Sequence, residues 1–432
     1  MRRTLSHAGC CPAHDPCPRH LAPALAAAGS ERALRLDGVQ RDALEAELDQ
    51  RGVSRRNLMR LSAMLGAGAG AGAAFVAAAA SPAAATPRES ARAPVFDPRR
   101  IGKVHVLPST AATVRVGAMD PAAPNAVEIE SGDVVHYPET WVNWANEAKN
   151  GMSFAEREPI RKRYPQGPYS LVGPVAIKGA EPGDVIECRM LRLETIDWGW
   201  NSTPKGVGAL PTDFDEPYLH YLKLDNATRT AAFAPGVTVP LAPIQGVLAA
   251  QPAGDKPVSG ILSGPYGGNI VLRELVEGTS LFLPVQVSGG RIWTGDSHAA
   301  QGDGVVDQTA IETAMKDLRI QYVLHKRVSL AGPIAETPTH WIVLGFGASL
   351  EDALTASLRE TIAWLSTATG LSKLDIYALC SVAGSFRVTQ YAHQLNTVYA
   401  NVPPKAVHGM IPKAIFAPER LAEISRTVRP EG

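Results

Sequence analysis

An excess of charge of either sign is missing from this 432-residue sequence, in which 42 lysines and arginines are matched by 42 aspartates and glutamates. Without a basic surplus, nucleic acid is excluded as an expected partner. Cysteine is scarce: of five, only Cys188 and Cys380 lie beyond the first 90 residues, which excludes a disulfide-built scaffold and leaves either one disulfide or two buried thiols. No apolar run long enough for a membrane-spanning helix occurs after residue 90. The Gly-x-Ser-x-Gly and Ser-x-Ser-x-Lys patterns of serine nucleophiles are also absent, and Cys188 falls in mid-strand, so the expected nucleophile of any hydrolysis is water. Glycine and proline, by contrast, are plentiful at 39 and 34. Spread along the chain, they suit many short strands joined by turns rather than a helical bundle.

The first 90 residues stand apart. Arg55 and Arg56 precede a weakly apolar, Gly/Ala-rich stretch at 61–80, and Ala83-Ala84-Ala85 offers the small residues a signal peptidase accepts. This is the pattern of a twin-arginine leader. Residues 1–85 are expected to be lost on export to the periplasm or medium, with 86–96 as a linker and no stable membrane anchor after cleavage. Cys10, Cys11, His14, Cys17 and His20 lack the second half of a zinc motif and read as a leader extension, and 31–51 carries helical periodicity.

The remainder divides into a β-rich domain, 97–318, and an α+β module, 319–432, that completes the same fold. Turn signals at Ser131-Gly132-Asp133, Glu181-Pro182-Gly183-Asp184 and Ser288-Gly289-Gly290 predict tight reversals between strands, the second with the alternation of a hairpin. Prolines 240 and 243 push 237–250 toward a sheet edge. The spacing of Ile311, Ala314, Met315 and Leu318 predicts a helix over 308–318, with Glu312 on its solvated side. A second helix is predicted over 350–367, with Leu354, Leu358, Ile362 and Leu365 inward. Gly370 ends it, and a Ser372-x-x-Asp375 cap starts the next. The fold expected is mainly β, sandwich- or barrel-like, with an α+β C-terminal module.

The densest polar stretch is Gly295-Asp296-Ser297-His298-Ala299-Ala300-Gln301-Gly302-Asp303-Gly304. Asp296, His298 and Asp303 are the residue types that bind a divalent cation, set among residues small enough to leave room beside them. The same composition also fits an Asp/Gly-rich loop closed by its own hydrogen bonds. His340 reads equally as a ligand or substrate contact and as a core histidine; His220 and His408 read as structural.

In order along the chain come GPVAIKGAEPGDVIE, VPLAPIQGVLAA, Gly267-Gly268-Asn269, LFLPVQV, GDSHAAQGDG, Glu336-Thr337-Pro338-Thr339-His340 and Lys405-Ala406-Val407-His408-Gly409-Met410-Ile411-Pro412-Lys413. Over about 97–420 this succession resembles the acetamidase/formamidase family. The resemblance implies hydrolysis of a small linear amide, such as formamide or acetamide, to carboxylate and ammonia, a divalent metal with zinc the expected ion, and a homo-oligomer. On this sequence the implied metal ligands are Asp296, His298 and Asp303. The implied catalytic residues are Asp303, His298 and Gln301, and the implied substrate contacts are Asn269 and His340.

The chain also departs from the family pattern. Val271 and Val305 stand where the family carries an aspartate and a glutamate, Ser385 where it carries an aspartate, and Arg115-Val116 where it carries His-Trp. A valine offers no lone pair to a metal or a proton. The alternative reading is therefore a catalytically degraded member that binds a small amide or carboxylate without turnover.

Overall fold

The apolar strand LFLP at Ser280–Pro284 shows how the molecule is layered. Leu281 and Leu283 point into one core cluster, while Phe282 between them points into another. A strand buried on both faces reads as a continuous apolar run rather than an alternating one. The same division occurs at Val185 and Ile186, and at Ile342, Val343 and Leu344. The nine-stranded sheet holding these strands packs one face on a twelve-stranded sheet and the other on the C-terminal helices.

The computed structural model describes residues 94–214, 216–391 and 399–430. The leader signals at 54–60, 61–80 and 83–85, the Cys/His-rich segment and the helix at 31–51 lie outside them. Ala91–Gly432 forms one compact unit, mainly β and sandwich-like. The division after Leu318 falls inside the strand Met315–His325, which pairs over most of its length with Val185–Thr195. Among the described residues no helix is long and apolar enough to cross a membrane. Cys188 and Cys380 are both buried and free, one in each core cluster.

Each predicted reversal is present, yet each does something other than make a hairpin. Glu181–Asp184 joins Ser170–Ile177 of the twelve-stranded sheet to Val185–Thr195 of the other. The turns at 131–133 and 288–290 likewise carry the chain from one sheet to the other. A turn signal reports that the chain reverses; in a sandwich, the partner after reversal is as readily the facing sheet as the neighbouring strand. Asp184 holds its turn by accepting from the backbone N–H groups of Glu181 and Arg327, each at 2.9 Å. Of the proline-bearing pair, Val237–Pro240 is an edge strand as expected, whereas Ile244–Ala249 is central because Pro243 precedes its ladder.

The expected helix over 308–318 is absent. Glu312–Thr313 is a short strand, and Met315–His325 begins a long one. The helix Leu350–Thr369 ends at Gly370 in the left-handed region, and Ser372 caps Lys373–Ala383 with Asp375, both as predicted. Its buried face is rotated by one residue from the expected leucine stripe. Ala353, Ser357, Thr361 and Leu365 face inward, while Leu354 is exposed. Small residues win that face because the helix lies so close to the strand His340–Gly347 that a Cβ on Gly345 would sit 2.2 Å from the Ser357 nitrogen.

Candidate metal centre and adjoining cavity

Three adjacent strands of the twelve-stranded sheet build the site. Asp296 and His298 stand two residues apart on Ile292–His298 and so share a face. Directly opposite His298 on the next strand is Glu312, whose side chain falls on the same face. On the other side, Gly246 lies opposite Asp296, between the pairs Gln245–Ser297 and Val247–Gly295. A Cβ there would meet Asp296 Oδ2 at 2.4 Å and His298 Cε1 at 2.9 Å, so glycine leaves the space these two side chains fill. Asp296 itself has φ +57°, an unusual conformation within a strand.

His298 Nε2 lies 3.2 Å from Asp296 Oδ2 and 3.3 Å from Glu312 Oε1, all three residues being buried. Its other ring nitrogen, Nδ1, is 2.8 Å from Gln301 Oε1, and the Gln301 amide N–H₂ donates to the Val271 carbonyl. That second bond sets the amide orientation, so Oε1 accepts and Nδ1 carries the proton. The Nε2 lone pair is left facing two carboxylates. Asp296 Oδ1, Asp296 Oδ2 and His298 Nε2 have no hydrogen-bond partner. Such an arrangement calls for a positive charge among the three atoms, either a proton or a cation. Burial would lower the His298 pKa, but the two carboxylates outweigh it and hold it well above its ordinary value; burial raises Asp296 to about 7. Two carboxylates and an imidazole with tautomer fixed from behind are a donor set suited to a divalent ion.

Glu312 also lines a cavity of about 70 Å³. Its walls include Trp144, Tyr169, Trp200 and Val305, with Arg157 on the helix Phe154–Arg163. Burial, then the charges of Asp296 and Glu312, push the Tyr169 phenol well above its ordinary value.

The structure brings together Asp296, His298 and Gln301, with Asn269 on the strand paired to Ile244–Ala249. Asn269 is buried, donates to the Ile261 carbonyl and keeps its side-chain oxygen unpaired. Asp303 is not part of the trio. It groups with Glu274 and His408, near Arg273 at 3.8 Å and Arg387 at 3.9 Å. Those guanidinium groups supply positive charge there, and burial followed by the two arginines pushes His408 down to about 4. Asp303, expected as a third ligand and catalytic residue, lies in this second group, and Glu312 stands beside Asp296 and His298. His340 lies in the other sheet, with Nδ1 2.9 Å from Thr339 Oγ1, and does not line the cavity.

Val271 and Val305 both have positive φ, +39° and +44°, where a β-branched side chain is strained. Val271 serves through its backbone, taking the Gln301 bond on its carbonyl, while Val305 presents an apolar surface to the cavity. Ser385 is exposed at the start of Ser385–Gln390. Glu312 is the residue that sequence reasoning misplaced. The signal for it was Thr309, Ile311 and Thr313, β-branched at alternate positions, a strand period that competes with the helical spacing of the apolar residues around it.

The sequence profile of the Acetamidase/Formamidase family matches residues 118–259 and 259–417. A formamidase of Methylophilus methylotrophus is 25% identical over 247 residues, covering 43% of this chain and 61% of that protein. A putative formamidase of Schizosaccharomyces pombe is 25% identical over 193 residues, covering 32% and 47%. The chain thus spans less than two thirds of the length of either curated relative. Among solved structures, an acetamidase from Yersinia enterocolitica superposes with a TM-score of 0.64 at 25% identity, covering 75% of this chain and 96% of that one. An acetamidase from Bacillus halodurans gives 0.64 at 24% identity over 72% and 98%, a likeness of fold. With the profile covering more than half of the chain, including strands of both sheets and the helices Leu350–Thr369 and Lys373–Ala383, the chain belongs to the acetamidase/formamidase family.

Proposed function

We propose that this protein hydrolyses a short linear amide to a carboxylate and ammonia at a site where Asp296, His298 and Glu312 hold a divalent cation. The observation that carries the reading is the convergence of buried, unpartnered ligand atoms beside a small, partly open cavity. Three protein ligands of nitrogen and oxygen type suit zinc, with a position left open. When bound there, such an ion supplies Lewis acidity toward a carbonyl and lowers the pKa of a water.

The remaining chemistry falls to the chain. Gln301 keeps the His298 proton on Nδ1, and the aromatic walls exclude bulk water. Glu312, the member of the trio that lines the cavity, would hold the ion through Oε1, the oxygen facing His298, and take a proton from the attacking water on Oε2 as the C–O bond forms, that proton passing to the nitrogen as the C–N bond breaks. Val271 and Val305 favour a second reading, binding of a small amide or carboxylate without turnover. Elemental analysis beside an ammonia-release assay on short amides separates the two. Roughly one equivalent of divalent metal and turnover on the order of 10 per second are expected for the enzyme. A metal-loaded, folded protein that is silent on every amide leaves the binding reading; a protein that purifies metal-free and gains no activity with added zinc ends the metal assignment.

We further propose export through the twin-arginine pathway, on the strength of Arg55, Arg56 and the stretch that follows them. Changing both to lysine should hold the full-length chain in the cytoplasm. Mature protein in the exported fraction of that double variant would sink the proposal.

A further inference from the structure

Arg157 and Arg161 both line the cavity and neither is used by the hydrolysis just described; Arg161 is paired with Glu158, whereas Arg157 has no such partner among the described residues. It is 1% exposed, and its guanidinium lies 4.6 Å from the centre of the Trp200 ring and 5.1 Å from that of Tyr221. Nη2 donates to the Tyr221 hydroxyl at 2.8 Å, but Nε and Nη1 have no partner, and among the described residues no carboxylate forms an ion pair with it. Glu158, one residue on, pairs with Arg161 and Lys162 instead. Glu312 lines the same cavity, yet its oxygens accept from the Ala310 backbone and the Asn143 side chain and face His298.

An arginine stays charged even in such surroundings, and leaving its donors unpaired away from water is costly. Burial pulls its pKa below the ordinary value, with Tyr221 the first group to offset that. Aromatic faces stabilise the cation without consuming its N–H groups, so Nε and Nη1 stay available to a ligand in the cavity that Arg157 lines. The chemical partner that best matches free guanidinium donors in such a cavity is a carboxylate. The lining that Arg157 shares with Glu312 also includes apolar side chains, Val207, Ile261 and Val305 among them, against which a short carbon spacer can lie.

We infer that the substrate of this cavity is a short amide bearing a carboxylate at its other end, the carboxylate held by Arg157 and the amide carbonyl turned toward Glu312. For the reaction this rests on the hydrolysis proposed above; for binding it does not. The test compares malonamate with propanamide, its neutral counterpart, and measures malonate binding by calorimetry at equal metal content.

In the wild type, kcat/KM should favour malonamate by about ten-fold to a hundred-fold, and Arg157→Gln should bring that ratio toward one. A ratio within one protein cancels general losses from the substitution. Wild-type preference for propanamide, or equal rates on the two, overturns the inference whatever the variant does. Should neither amide be hydrolysed, the hydrolysis reading fails and malonate decides alone: binding that Arg157→Gln abolishes upholds the anionic site, and absent or unchanged binding overturns it.

Discussion

Replacing His298 by alanine is expected to abolish binding of the proposed divalent ion and to lower the proposed ammonia release by about a thousand-fold or more. The ring is 2% exposed and supplies the atom around which both carboxylates are arranged, so its loss leaves two buried acids facing each other. Glu312→Ala should do nearly the same. Asp303→Ala should leave the ion in place, because Asp303 belongs to the arginine-flanked group with Glu274 and His408. Gln301→Ala, which frees the ring without removing it, should weaken metal affinity by about ten-fold to a hundred-fold. His220 serves as the control. It stacks edge-on against Phe233 at 4.9 Å, far in sequence and role from the trio, and its alanine variant should keep full metal. Measured by elemental analysis on purified protein, an Asp303→Ala variant that loses metal while Glu312→Ala retains it would reverse the ligand assignment.

The largest effect on stability is expected at Glu187, in the middle of the nine-stranded sheet. Its carboxylate is fully buried and meets Arg429 at 2.5 Å, Arg189 at 2.9 Å and His325 at 3.0 Å. Arg429 follows the last helix, Pro418–Val428, and pairs also with Glu336 at 2.5 Å while its guanidinium lies over Phe282. One carboxylate thus ties the end of the chain to a central strand. Glu187→Ala would leave the Arg189 guanidinium without its carboxylate and Arg429 with Glu336 alone, at a cost of about 3–5 kcal/mol, and should lower the thermal midpoint by on the order of 10 °C.

The pH dependence has a definite sign. Burial would raise the Glu187 pKa, but His325 and Arg429 outweigh it and hold the carboxyl well below its ordinary value of 4.5. A group so depressed contributes its full stability above the unfolded value and loses it as pH falls through the folded one. The difference between wild type and Glu187→Gln should therefore be constant near neutrality and shrink only below about pH 4.5. A difference that grows in acid, or a midpoint unchanged by the alanine variant, would show that the network contributes nothing net.

Periodicity and turn chemistry alone determined that the chain is mainly β, that its C-terminal part mixes strands with helices, and where helix Leu350–Thr369 stops and Lys373–Ala383 starts. These are local matters: a glycine that accepts φ +71° and a serine that caps a first turn act within a few residues of themselves. The density of polar residues at 295–304 likewise singled out Asp296, His298, Gln301 and Asp303, since side chains on and just after one strand stay close in sequence. What only the tertiary structure decided is which strand lies beside that one. Glu312 enters the site because its strand pairs with Ile292–His298, and Asp303 leaves it because the chain turns away toward Gln390, with which Gly304 bridges. Register between strands depends on contacts that no short window of sequence contains. Arg157 was invisible for the same reason: a charged residue on a polar helix reads as solvated until the aromatic rings of distant strands close over it.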